Sequence, residues 1–402
     1  MLFRHRHCRG IAPAEGASMA WIQRCNRFIL MASLLLTGFG LVAVYSASAV
    51  VGMERHQDAY FFLRRQAVYA ALGLGAMLIM MQADYRQLQK WTRVCFLVTL
   101  ILLALVLMPA LTKEVGGARR WLQLGHLAFQ PAEFGKLSLI LYLAQRLATR
   151  RIRHGHLTDQ YLPLAVLIGT LFLLTLLQPD LGTAVALTGI AATMLFVGGV
   201  PLRYLLGSLL ALLPFLYLAL VHVGFRWRRL LAFWDPWSSR SDAGFQIVQS
   251  LLALGNGGLL GVGPGAGKQK LFFLPEAHTD FIFAVIGEEL GFVGCALVLS
   301  LFGVLLWSGM SVAWRADDLF SRYLACGITS MILLQAVMNA AVVVGFLPTK
   351  GLPLPFVSLG GSSLVVTLLG IGMLLGISAR LPRPGARSRQ DSTSVAKTAV
   401  RV

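Results

Sequence analysis

The chain is short of charge, and above all of acid. Only 13% of its 402 residues are Asp, Glu, Lys or Arg, about half the share of an ordinary soluble domain. A chain so poor in charge and 57% hydrophobic lacks the polar surface a soluble fold shows to water. With a mean hydropathy of +0.72 it reads as a polytopic membrane protein. Cysteine is also scarce: Cys8, Cys25, Cys95, Cys295 and Cys326 show no CxxC or paired spacing, which excludes a disulfide framework and a thiolate metal site. No long apolar run alternates with period two. Backbone groups in lipid must be satisfied within a helix or a closed barrel, so every span is a helix. Acid is outnumbered, 17 side chains to 35 basic ones, for a net charge of +18. In a soluble chain that excess suggests nucleic acid; here basic loops fix topology and face anionic lipid, and no nucleic-acid partner is expected.

What the sequence does contain is ten apolar segments near the roughly 20 residues that a bilayer requires: 28–50, 67–82, 92–109, 134–148, 160–177, 181–199, 201–222, 281–308, 320–346 and 359–379. The expected fold is all-α and polytopic, with about ten transmembrane helices. The fourth segment is the most polar, with Glu133 and Lys136 at its start. An even number of spans puts both termini on one side. Assigning the tails to the cytoplasm places 21 basic residues there and 13 opposite. Six of those 13 lie in one long loop, which orientation rules discount. Residues 1–27 form a basic cytoplasmic tail with no long apolar run of the kind a signal peptide has, and Met19 is an alternative start. Residues 28–380 are the membrane domain, and the Arg-, Ser- and Thr-rich stretch 381–402 is a disordered cytoplasmic tail.

The connection at about 223–280, between helices 7 and 8, is long enough to demand a function. It carries Trp227, Trp234, Trp237, Phe245, Phe272 and Phe273, which suggests a structured, partly re-entrant loop against the outer leaflet. Its glycine-rich run, Gly255 to Lys270, lacks the GxxxxGK[ST] order and follows no strand. A nucleotide site is rejected; a flexible lid or tight backbone packing fits better.

Ionisable residues near a membrane mouth are functional candidates by default. Glu276, His278, Asp280 and the Glu288/Glu289 pair crowd the start of the eighth span. Asp280 reads either as a first-turn carboxylate favoured by the helix dipole or as a functional acid. Glu288, eight residues on, lies near the same helical face and is placed to support it from below, unless it caps or pairs inside the bundle. His278 and Glu276 are flanking groups, with Thr279 between His278 and Asp280. At the third-to-fourth connection, Pro131 suits a helix first turn, and Glu133 and Lys136 stand at i, i+3. They make either a salt-bridged helix start or, with Arg119 and Arg120, an anion site at the outer face. Finally, Lys350 is the only charge between Gly345 and Ser363. Prolines at 348, 353 and 355 stiffen that loop, and Gly360 and Gly361 allow close approach.

QPAEFGK (130–136), QPDLGTA (178–184), FWDPW (233–237), GFQIVQS (244–250), PEAHTDFIFAVIGEELG (275–291) and GFLPTKGLPLPFVSLGGS (345–362) together resemble the SEDS family (shape, elongation, division, sporulation) of bacterial inner-membrane peptidoglycan glycosyltransferases. The likeness runs from about residue 28 to 380. The Thr349-Lys350-Gly351 triplet and the FWDPW/GFQ pattern are similar to the cell-division branch rather than the elongation branch. The resemblance implies an enzyme that polymerises lipid II at the division septum. The family's essential loop aspartate falls on Asp280, its loop lysine on Lys350 and its polar pair on Glu133 and Lys136. Ser358, like Glu276 and His278 an expected substrate contact, falls in the motif where the family has Ser-Tyr-Gly-Gly. Here the second residue is Leu359, and no role is carried over to that position. The implied partners are a class B penicillin-binding protein (an FtsI-like transpeptidase), other division proteins and membrane lipid.

Joining an α-linked donor to a β-1,4 product is a single inverting displacement, which needs one base and stabilisation of a pyrophosphate leaving group. Asp280 is the expected base. Arg119, Arg120, Lys136 and Lys350 are the expected cations, replacing or assisting a divalent metal, Mg or Mn; no resident cofactor is implied. Two competing classes are a flippase for the same lipid-linked precursor and a non-catalytic division scaffold. The missing twofold repeat between the halves weighs against a transporter.

Overall fold

The computed structural model describes residues 26–108, 112, 120–124, 127–149, 157–221, 224–239, 244–271 and 273–381. Arg119, Phe272, Met19 and nearly all of both tails lie outside them. A helix stands on each of the ten apolar segments: α1 (Arg27–His56), α2 (Phe61–Gln82), α3 (Tyr85–Val106), α4 (Pro131–Thr149), α5 (Leu157–Leu177), α6 (Leu181–Val197), α7 (Leu202–Val221), α10 (Ile282–Arg315), α11 (Leu319–Val343) and α12 (Gly361–Ala379). Two more, α8 (Gly224–Trp234) and α9 (Phe245–Gly257), structure the long connection. A short hairpin, β1 (Leu122–Leu124) with β2 (Leu127–Phe129), precedes α4. Six of the helices have a stretch long and apolar enough to cross a membrane, so the protein is a multi-pass membrane protein.

The polarity of α4 has a packing explanation. Every residue from Lys136 to Ala144 is buried, because α3, α6, α11 and α12 surround the helix. A helix sheathed in protein needs no lipid-compatible face, so the Glu133–Lys136 pair is tolerated inside. On the other flank, α12 lies tightly along α2. A Cβ at Gly361 would sit 2.4 Å from the Tyr69 ring, and one at Gly372 2.4 Å from the carbonyl of Met77, the close approach that small residues permit between membrane helices. By contrast, α7 stands off from α5 and α6 and leaves an apolar groove of about 990 Å³ bordered by Gly169, Leu173, Phe196 and Leu209.

The eighth apolar segment carries one long helix with an internal kink. At 34 residues, α10 is about 50 Å long, well beyond a hydrocarbon core of roughly 30 Å, and it breaks at Gly291 (φ 65°, ψ −162°). The glycine-rich run fills the break. The amides of Val262 and Gly263 donate to the carbonyls of Glu288 and Glu289 at 3.0 Å each, and those of Phe292 and Val293 donate to Gly258 and Leu259 at 2.9 and 3.2 Å. A Cβ at Gly257 would lie 1.9 Å from the Gly287 oxygen, so here glycine serves tight backbone packing. Glu288 does not reach up to Asp280 as expected. Its carboxylate instead accepts the amides of Lys268 and Gln269 at 2.9 and 3.1 Å. Glu289 is closed by the Lys270 ammonium at 2.6 Å and the Ser46 hydroxyl at 2.7 Å. Both acids therefore staple the loop to the upper piece of α10 and thereby fix the turn that carries Asp280.

Candidate active site

Asp280 ends a tight turn just before α10. Its geometry is set by Glu276, whose backbone is left-handed (φ 55°) and whose carbonyl gathers the amides of Thr279 (3.1 Å) and Asp280 (3.2 Å). The Thr279 hydroxyl donates to the Glu276 carboxylate at 3.0 Å, which locks the turn. Across from it runs the loop expected to carry a cation. A Cβ added at Gly351 would lie 3.2 Å from Asp280 Oδ2 and 3.7 Å from Arg120 Nη1. Carboxylate, guanidinium and the Lys350–Gly351 backbone thus meet at one point, although they come from sequence positions 120, 280 and 351.

Arg120 is held from below. It donates to the Pro179 carbonyl, and its Nε lies 3.9 Å from Asp180 Oδ2. Asp180 caps α6 by accepting the amide (3.1 Å) and hydroxyl (2.9 Å) of Thr183. It also accepts Gln130 Nε2 at 3.1 Å, which joins the α4 entrance to the same network. Burial, reinforced by Glu276, pushes the Asp280 carboxyl up to about 7; Arg120 and Arg229 oppose that rise, while Asp180 adds to it. Burial likewise lowers the Lys350 ammonium from its ordinary value, and among the described residues Lys350 makes no salt bridge. The His278 ring lies 4.9 Å from that of Phe62, its carbonyl accepts the Leu359 amide at 2.9 Å, and burial holds its pKa down.

Other expected ligand residues turn inward. Lys136 is 0% exposed and both carboxylate oxygens of Glu133 lie 2.8 Å from its ammonium. As a cation for a ligand it is corrected to half of a closed buried pair, because no face of it reaches solvent. Ser358 Oγ accepts the Leu354 amide at 2.8 Å and its carbonyl accepts Gln66 Nε2 at 3.1 Å, so it holds the loop's shape. The Gly360 amide donates to Gln66 Oε1 at 3.4 Å, and Gly361 makes room for Tyr69. These three belong to loop architecture. The sequence reading did not single out Asp180, Gln130, Arg229 or Asn339. Arg229 is the hardest to find from sequence, one basic residue among several in an amphipathic helix whose Trp234 is 88% exposed.

A model of the FtsW/RodA/SpoVE cell cycle proteins matches residues 26–382. The chain belongs to that family. It is 45% identical over 360 residues to the probable peptidoglycan glycosyltransferase FtsW of Geobacter metallireducens, covering 90% of this chain and 96% of that one. It is 40% identical to the stage V sporulation protein E of Bacillus subtilis, covering 87% and 96%. Among solved structures it superposes on a chain of a peptidoglycan synthase complex that coordinates polymerization and crosslinking, with TM-score 0.72 and 32% identity over 88% of this chain and 97% of that one. It also superposes on the rod shape determining protein RodA of Thermus thermophilus, with TM-score 0.66 and 32% identity over 90% and 98%. The multi-pass bundle is therefore the fold of this family of membrane enzymes.

Proposed function

We propose that this member of the FtsW/RodA/SpoVE family is a septal peptidoglycan glycosyltransferase in which Asp280 takes the proton of the attacking sugar hydroxyl. The observation that carries the reading is the meeting of Asp280, Arg120 and the Lys350–Gly351 loop, with a carboxyl near neutrality beside strong cations. The acceptor GlcNAc 4-oxygen attacks C1 of the donor, the C1–O4 bond forms as the C1–O phosphate bond breaks, and the proton passes to Asp280 Oδ2. Undecaprenyl pyrophosphate leaves. General-base assistance of this type contributes about 10²–10⁴-fold, and preorganised cations stabilise the departing diphosphate. Arg120, Arg229 and Lys350 supply that charge. A divalent ion, Mg or Mn, would assist these cations by neutralising charge on the departing diphosphate.

The ten helices are read as ten spans, with both termini cytoplasmic and the 223–280 connection outside the inner membrane. The polyprenyl chain of lipid II is assigned to the apolar groove beside α7. A class B penicillin-binding protein is the expected partner, in keeping with the synthase complex that this fold resembles. The decisive experiment is polymerisation of lipid II by the purified chain, alone and with its cognate transpeptidase, against Asp280→Asn. Polymer from the first and none from a well-folded variant supports the reading. Transfer of lipid II across vesicles with no polymer from the wild type favours a flippase instead, and undiminished synthesis by the variant removes Asp280 as base.

A further inference from the structure

Two loops must hold one geometry for the proposed chemistry: the turn that carries Asp280 and the Thr349–Leu352 segment opposite it. They come from opposite ends of α10 and α11, and only one side chain among the described residues bonds to both backbones. Asn339, on the last turns of α11 and 2% exposed, donates from Nδ2 to the carbonyl of Asp280 at 2.8 Å and to the carbonyl of Leu352 at 2.8 Å. Both acceptors are carbonyl oxygens, so the amide nitrogen must face them and its two hydrogens are fully used. The oxygen Oδ1 is left buried with no partner among the described residues. Leaving a buried acceptor unmatched costs free energy, and an arrangement that tolerates it is held by the value of the two donations.

From this bridge we infer that Asn339 is a positioning residue for glycosyl transfer, clamping the Asp280 turn to the Lys350–Gly351 loop so that base and cations keep their separation. The inference rests on the proposed glycosyltransferase reading. Asp and Ser are poor substitutes. An ionised Asp would aim oxygens at two oxygens, and Ser is too short and has a single hydrogen. Leu keeps the branched outline, though it is bulkier, and donates nothing, so both carbonyls lose their partner.

Loss of the clamp loosens the pocket. Misplacement of about 1 Å is enough to cost roughly 10²-fold in rate, so Asn339→Leu and Asn339→Ser are expected to lower kcat about 10- to 100-fold per folded molecule, with KM for lipid II changed less than about twofold. Water entering around Asp280 relieves its burial, while Glu276, Asp180, Arg120 and Arg229 stay as they are. The acidic limb of the rate profile therefore moves below 7 in both variants. Independently of turnover, hydrogen exchange should quicken together at residues 279–281 and 349–352. Activity per folded molecule within twofold of wild type overturns the inference. So does a fall in activity with an unmoved acidic limb and unchanged exchange, which marks a purely structural residue. Asn339→Ser keeps the test open should Asn339→Leu fail to fold. A wild-type protein that makes no polymer would instead defeat the glycosyltransferase reading, and the exchange measurement would still judge the bridge.

Discussion

If the carboxyl of Asp280 titrates near 7, glycan synthesis should rise with pH across neutrality along a single-proton limb. The base form is the one that accepts a proton. At a pKa of about 7, roughly one-tenth of the molecules are ionised at pH 6, half at pH 7 and nine-tenths at pH 8. The kcat/KM for lipid II, which reports the free enzyme, should therefore climb about tenfold from pH 6 to pH 8 in the purified protein. The same shift has a stability consequence of opposite sense. A carboxyl raised from 3.8 to about 7 holds its proton in the folded state over a window where the unfolded chain has lost it. Stability then falls as pH rises from about 4 to 7 and stays level above. Asp280→Asn removes that loss, so its thermal midpoint should draw ahead of the wild type across the same window while its activity disappears. A limb centred near pH 4, or a midpoint difference that does not change between pH 4 and 8, would refute the argument that burial governs this group.

Four other outcomes follow from particular contacts. Arg120→Gln removes the largest influence holding the Asp280 carboxyl down, so the acidic limb should move above 7 and the KM for lipid II should rise; a limb that moves lower contradicts the arrangement. Gly351→Ala puts a methyl 3.2 Å from Asp280 Oδ2, tighter than ordinary contact, and should reduce kcat about tenfold with normal expression, while Gly351→Val should abolish it. Lys270→Met leaves the buried Glu289 without its ammonium. Breaking such a pair from one side costs about 3–5 kcal/mol, which a thermal scan reads, and Lys270→Met combined with Glu289→Leu should recover most of it. Gly169 borders the apolar groove with nothing within 4 Å of an added Cβ, so Gly169→Phe should fold normally and raise the KM for lipid II several-fold; an unchanged KM moves the polyprenyl chain elsewhere.

Much of this was legible because membrane helices write themselves in composition. Each of the ten apolar stretches carries a helix, and the resemblance of the PEAHTDF and PTKG motifs brought Asp280 and Lys350 forward before any geometry was known. What sequence does not encode locally is direction. Glu133 and Lys136 at i, i+3 read equally as a ligand site or a salt bridge, and only the sheath of α3, α6, α11 and α12 decides for the buried pair. Glu288 stands eight residues after Asp280, near the same face of an ideal helix, yet Asp280 lies in the turn before α10 and the amides of the glycine-rich loop claim the Glu288 carboxylate. Asn339 in an apolar helix and Asp180 at a helix start both have ordinary local explanations, and although Asp180 stands in the QPDLGTA motif, nothing at either position names its partner. Their significance arises from tertiary closure, because the Asp280 carbonyl that Asn339 holds and the Arg120 guanidinium beside Asp180 come from residues 59 and 60 positions away along the chain. The active centre is therefore only half a set of reactive groups. The other half is the polar scaffolding that fixes their separation, and in a helix bundle that part becomes visible only when the ends of α4, α6, α10 and α11 are brought to the same place.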